Sequence, residues 1–408
     1  MNPPRYRDLS LHVRPLADRL AASPRSDSSS PLADLVCLSH LRWDFVFQRP
    51  QHLMTRAARE RRVFFIEEPV FDASGGASVE VRQPQPNLQV VVPHLSPGLS
   101  PPAVLALQQD VVDEMLRTAG VDEFVLWYWT PMALPFTRHL APAAVVYDCM
   151  DELSAFAGAP PALTELEREL LARAEVVFTG GVSLYEAKRS LHPNVHAMPS
   201  SVDVAHFARA LEPQEPPFDQ ASIARPRIGF FGVIDERMDL ALLAGVAERR
   251  PEWQLVLLGP TAKIDPATLP RRANIHYLGM KGYADLPAYL SGWDVAMLPF
   301  ARNESTRFIS PTKTPEYLAA GRPVVSTPIR DVVRPYGELG LVRIAEDADG
   351  FVAAIESALH EDAASRQQRA AALLANTSWD STWSRMSALI VRACTPAATS
   401  DAASTAHV

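Results

Sequence analysis

Seven residues, "SPTKTPE" at Ser310–Glu316, place a cation and an acid three positions apart between a polar loop and the run "YLAAGRPVVST". Ser310 is of the type that caps helices and Pro311 suits a first turn, so the sequence predicts a helix starting there. Lys313 would then lie in the first turn, where the helix dipole disfavours a cation unless an anion is held beside it. Glu316 would share its face, with a carboxylate able to accept hydrogen bonds from a sugar diol. A surface lysine–glutamate pair is the plainer alternative. Phosphate beside a diol is the chemistry of a nucleotide.

Three further clusters follow apolar runs. "RIGFFGVIDERMD" offers Gly232, where backbone can approach a phosphate, and Arg237, which can clamp one. It lacks the G-x-G-x-x-G spacing of dinucleotide sites. "HLRWDFVFQRPQHL" gathers His40, Arg42, Trp43 and Arg49, donors and a stacking surface for an acceptor, although Trp43, Phe45 and Phe47 could equally be buried loop core. "VVYDCMDELSAF" puts Asp148, Asp151 and Glu152 after a strand, where one could act as base or electrostatic partner and another only cap a helix. The acids at Asp347–Asp349 precede a helical pattern and read as a cap. No metal site is expected.

The elements that must position these groups alternate short apolar runs with longer amphipathic ones, the rhythm of a parallel sheet covered by helices. The predicted architecture is α/β, with two doubly wound domains facing each other across a cleft. Ligands of such sheets sit beyond the carboxyl ends of the strands, where all four clusters fall. The expected organisation is a flexible extension at 1–33, an acceptor-side domain at 34–205, a linker at 206–225, a donor domain at 226–378, a helix at 379–394 and a disordered tail at 395–408.

Composition narrows the classes. With 408 residues and 47% hydrophobic content there is material for two cores. No apolar run approaches the ~20 residues of a membrane span. A formal net charge of -8 argues against a general nucleic-acid binder. Three scattered cysteines make no disulfide framework, and the first thirty residues have no signal-peptide core, so a cytoplasmic protein is expected.

The C-terminal half, through "EYLAAGRPVVST" and the crossing segment "SSVDVAHF", resembles the donor domain of GT-B-fold retaining-type glycosyltransferases. "WDFVFQRPQHL" and "SPTKTPEYLAAG" are similar to a bacterial group 1, family 4-like subgroup linked to cell-surface polysaccharide synthesis. The resemblance implies transfer of a sugar from a nucleotide diphosphate sugar to a saccharide or lipid-linked hydroxyl acceptor, without metal or other cofactor. A lipid-linked acceptor would bring the protein transiently to the inner membrane face. By position, Glu316 would bind the donor ribose and Gly232, Arg237 and Lys313 the diphosphate. Phe308 stands where the family often has a Glu, and Asp148 where it often has a His, so Arg307, Ser310 and Lys313 are expected to rebuild the donor site, with Asp148, Asp151 and Lys313 as catalytic candidates. The alternatives are a sugar-nucleotide epimerase of the same architecture and a non-catalytic nucleotide-sugar-binding subunit.

Overall fold

The computed structural model describes residues 32–75 and 77–395. The expected flexible extension and tail lie almost wholly outside them. Within the described residues, two sheets form two domains. The N-terminal sheet runs β3-β4-β2-β1-β5-β6-β7-β8, with β1 Asp34–Ser39, β2 Val63–Glu67, β3 Ala77–Gln85, β4 Leu88–Leu95, β5 Phe124–Tyr128, β6 Ala144–Cys149, β7 Val176–Thr179 and β8 Val195–Ala197. All pairings are parallel except β3 with β4. The C-terminal sheet runs β11-β10-β9-β12-β13-β14 and is parallel throughout, with β9 Arg227–Phe231, β10 Gln254–Leu258, β11 Ile275–Tyr277, β12 Val295–Leu298, β13 Val324–Ser326 and β14 Val342–Ile344.

The parallel strands are apolar on both faces because helices cover both. β1 and β9 carry almost uninterrupted buried residues. β3 is the contrast: "ASVEVRQPQ" is half exposed, and it sits on the sheet edge, where its proline and charges are tolerated. In the C-terminal sheet, Gly229 of β9 leaves the space that the Trp293 indole fills, since a Cβ there would overlap the ring.

Domain boundaries differ from the expected ones in a physically clear way. Met198 belongs to the N-terminal core, whereas Val202, Phe207, Ala210 and Ile223 are buried in the C-terminal core. The chain therefore crosses at residues 199–201, and the stretch 206–225 is packed structure rather than a linker. Its prolines misled because Phe207 and Ile223 anchor it. The last helix, Trp379–Cys394, returns to the first domain: Trp379, Trp383, Met386 and Ile390 join the N-terminal core beside Trp127 and Phe178.

The helices needed below are α1 Arg49–Ala57, α2 Leu163–Arg173, α3 Val182–Lys188 and α4 Lys313–Ala319.

Candidate functional site

A cavity of about 470 Å³ opens between the two sheets' carboxyl ends. From the C-terminal domain it is lined by Gly232, Arg237, Lys313 and Glu316, and from the N-terminal domain by Trp43, Phe47 and Asp151. Residues from four separate sequence clusters thus meet at one place, as the strand-end rule requires.

Lys313 is the first residue of α4, which starts two residues later than the sequence predicts: Thr312 is the cap position, and Ser310 and Pro311 precede the helix. The lysine side chain lies across Gly232. A Cβ at Gly232 would overlap Lys313 Cε and stand 2.8 Å from Nζ, and its φ of +142° also favours glycine. Glu316 is 6% exposed, and its Oε2 has no hydrogen-bond partner among the described residues. Burial moves both groups towards neutrality. It lowers the Lys313 pKa, with Glu316 opposing, and pushes Glu316 up to about 8, with Lys313 opposing. A buried cation laid on a glycine beside an unsatisfied carboxyl is a site prepared for a polar partner.

Arg237 is held rigid by Asp235 in a two-pronged ion pair, Nε to Oδ1 at 3.0 Å and Nη2 to Oδ2 at 2.6 Å. Its guanidinium also stands 5.5 Å from the centre of the Phe156 ring, and the Lys263 ammonium lies 5.4 Å from the same ring. Phe156 belongs to the loop that carries Asp151. Burial raises the Asp151 pKa, while the charges of Arg237, Lys313 and Lys263 lower it. One carboxyl of the first domain therefore faces the cations of the second.

Several expected site residues lie outside the cavity or are engaged by other protein groups. Asp148 is fully buried and accepts from Arg49 Nε at 2.9 Å, Arg49 Nη2 at 2.8 Å and Trp129 Nε1 at 2.9 Å. It is a structural anion, and its catalytic assignment falls. Arg49 also donates through Nη1 to the Met198 carbonyl at 2.7 Å and is 1% exposed, so although it borders the cavity all three of its nitrogens are engaged by the first domain's own core. Arg42 is engaged by Glu67 and by the carbonyls of Glu68 and Pro69. Arg307 points outward, 63% exposed, beside Glu304 and over the Phe308 ring. Phe308 itself packs on the N-terminal core. Ser310 lines the cavity, with its side chain beside the Asp331 carboxyl, whose pKa burial raises and the serine lowers. His40 is a low-pKa imidazole, near 4 through burial, with an unpartnered Nδ1, and is not among the cavity-lining residues.

Trp43 lines the cavity but is 8% exposed, with its ring packed against Phe65 in the core at 5.1 Å between centroids. Phe45 and Phe47 are instead exposed at the rim, 38% and 40%. Sequence reading passed over Asp235, Phe156 and Tyr283. Tyr283 lines the cavity, stacked on His206 at 4.2 Å and against Phe47 at 4.6 Å. Asp235 was legible as the acid two residues before a candidate phosphate clamp. Asp347 caps a helix through the Gly350 N–H at 2.8 Å, as expected from its place before a helical pattern.

Residues 225–361 match the family of glycosyl transferases group 1. A putative teichuronic acid biosynthesis glycosyltransferase of Bacillus subtilis is 25% identical over 238 residues, which span 53% of this chain and 59% of that relative. Among solved structures, sucrose-phosphate synthase from Thermosynechococcus elongatus superposes with a TM-score of 0.67 at 14% identity, over 88% of this chain and 99% of that one. A UDP-forming α,α-trehalose-phosphate synthase from Burkholderia xenovorans, in complex with glucose-6-phosphate, gives 0.65 at 14%, over 88% and 100%. An E. coli trehalose-6-phosphate protein bound with UDP-2-fluoro glucose gives 0.63 at 14%, over 90% and 100%. At such identity these likenesses show the fold. The architecture is GT-B, and the resemblance read from the sequence holds.

Proposed function

We propose that this chain, a GT-B fold whose second domain carries the group 1 glycosyl transferase pattern, moves a sugar from a nucleotide diphosphate sugar to a hydroxyl acceptor. The observation that carries the reading is the Gly232–Lys313–Glu316 arrangement, buried in an interdomain cavity with one carboxyl oxygen unsatisfied. A diphosphate on Lys313 and Arg237 with its ribose on Glu316 satisfies all three. The likeness to a structure bound with UDP-2-fluoro glucose, and to a relative named for teichuronic acid synthesis, supports a nucleotide-sugar donor and a cell-surface polysaccharide or glycolipid acceptor. A lipid-linked acceptor would be met at the inner membrane face. No helix among the described residues is long and apolar enough to cross a membrane.

In the reaction, the bond from the anomeric carbon to the diphosphate breaks with its electron pair leaving on oxygen. Lys313 and Arg237 stabilise that developing charge, and being fixed before the reaction they need no reorganisation. Their charge fills the role a metal would otherwise play, which is why we assign metal-independent chemistry. The acceptor oxygen bonds to the carbon from the N-terminal side, and we assign its proton to Asp151, a reading supported by that carboxyl's place in the cavity lining.

A screen of UDP-, GDP-, ADP- and dTDP-sugars by thermal shift is expected to single out one nucleotide, because ligand bound to the folded state raises its apparent stability. With that nucleotide, transfer should require an acceptor. Product from donor alone would indicate an epimerase, and binding without transfer to any acceptor a non-catalytic subunit. Lys313, whose pKa burial lowers in the unliganded protein, should take up protons on binding, since a diphosphate beside it favours the ammonium form. Calorimetry in two buffers of different ionisation enthalpy reads that uptake, and proton release would contradict the placement of the phosphates.

A further inference from the structure

The end of β7 is followed by two glycines whose missing side chains are each occupied by something else. A Cβ on Gly180 would stand 2.5 Å from the carbonyl oxygen of Met150 and 2.9 Å from its Cα, so this residue lies flat against the backbone immediately before Asp151. A Cβ on Gly181 would overlap a carboxylate oxygen of Asp331 and stand 2.6 Å from Cβ of Ser310. Both of those residues belong to the other domain.

Asp331, 7% exposed, accepts from the Val182 N–H at 2.8 Å through Oδ2 and from the Ser183 N–H at 2.9 Å through Oδ1. These are the first amides of α3, and the helix's own cap position is Gly181, which has no side chain to offer. A carboxylate from the second domain therefore caps a helix of the first. The other end of α3 is tied just as firmly. Lys188 donates to both oxygens of Glu167 at 2.8 Å and pairs with Glu152 at 2.7 Å. Glu152 is the neighbour of Asp151 in the cavity loop. On the opposite lip, Ser310 touches Asp331 and stands three residues before Lys313. The helix is thus a strut from Asp331 to the loop of Asp151, and Asp331 meets the segment that leads to Lys313.

We propose that Asp331 is a positioning residue: by capping α3 across the domain boundary it sets the separation between Asp151 on one side of the cleft and Lys313 on the other. This rests on the reading of the cleft as a glycosyl-transfer site. The nucleotide contacts all lie within the second domain, so they survive loss of the joint, whereas the chemistry needs both lips in register. A misplacement of about 1 Å costs on the order of 10²-fold in rate. A carboxylate suits the place because two parallel N–H groups need two acceptor oxygens. An amide would turn an NH₂ group towards one of them.

The test compares Asp331→Asn and Asp331→Ala with Arg330→Ala, whose exposed pairing with Glu186 spans the same boundary and is worth little. Both Asp331 variants are expected to lose about 10- to 100-fold in kcat. Nucleoside diphosphate affinity, measured by calorimetry, should stay within about threefold. Amide exchange at Val182 and Ser183 should accelerate, and Arg330→Ala should behave as wild type. Unchanged kcat and unchanged exchange would overturn the proposal, as would a kcat loss that only follows the fraction of folded protein. If wild type shows neither nucleotide binding nor transfer while those amides accelerate in Asp331→Asn, the joint stands and it is the functional reading that falls.

Discussion

Lys313→Ala is expected to lower kcat/KM for sugar transfer by about 10²–10³-fold, the range found when a preorganised charge stabiliser is removed from a leaving-group site. The lysine is the cation closest to the backbone at Gly232, where glycine leaves room for both the side chain and an incoming phosphate. The fold should survive. Removing the lysine leaves Glu316 buried, but its carboxyl titrates at about 8 and so is largely neutral at pH 7, and no unpaired charge is stranded. Thermal unfolding of the variant should therefore stay close to wild type while turnover collapses. Equal transfer rates in the two proteins would remove Lys313 from the chemistry.

Asp148→Ala is expected to do the reverse. Asp148 and Arg49 are 0% and 1% exposed and joined through three nitrogen–oxygen contacts of 3.2 Å or less. Deleting one partner strands the guanidinium in the core at a cost of about 3–5 kcal/mol. The damage propagates because Arg49, in the first turn of α1, also holds the Met198 carbonyl just before the chain crosses to the second domain. Denaturant midpoints should fall accordingly, with kcat per folded molecule within a few-fold of wild type. A large kcat loss at unchanged stability would return Asp148 to the reaction.

This contrast shows what the sequence could and could not reveal. The parallel architecture was legible because each buried strand is a short apolar run bounded by turn residues, as in "DLVCLSH" and "WQLVLLGP". β3 was missed, since a polar edge strand with a proline lacks that signal. Lys313, Glu316, Gly232 and Arg237 were found because their types conflict with a purely structural role at their positions, and the structure does bring them to one cavity. Whether Asp148 or Asp151 faces the cavity was not legible. They are three residues apart at the end of one strand, Asp148 within β6 and Asp151 just beyond it, and only the Arg49 partner, 99 positions away, decides which one is consumed by the core. Arg307 misled for a similar reason, because a charged residue beside a site motif says nothing about which way the loop turns. The Asp331 cap joins residues 149 apart and leaves no local pattern at all.

The most direct measurement is a crystal structure with the nucleotide diphosphate that the stability screen selects. The account predicts the phosphates within hydrogen-bond distance of Lys313 Nζ and the Arg237 guanidinium, with the ribose hydroxyls on the Glu316 carboxyl. A diphosphate bound away from Gly232, with the Glu316 carboxyl still unsatisfied beside Lys313, would contradict it.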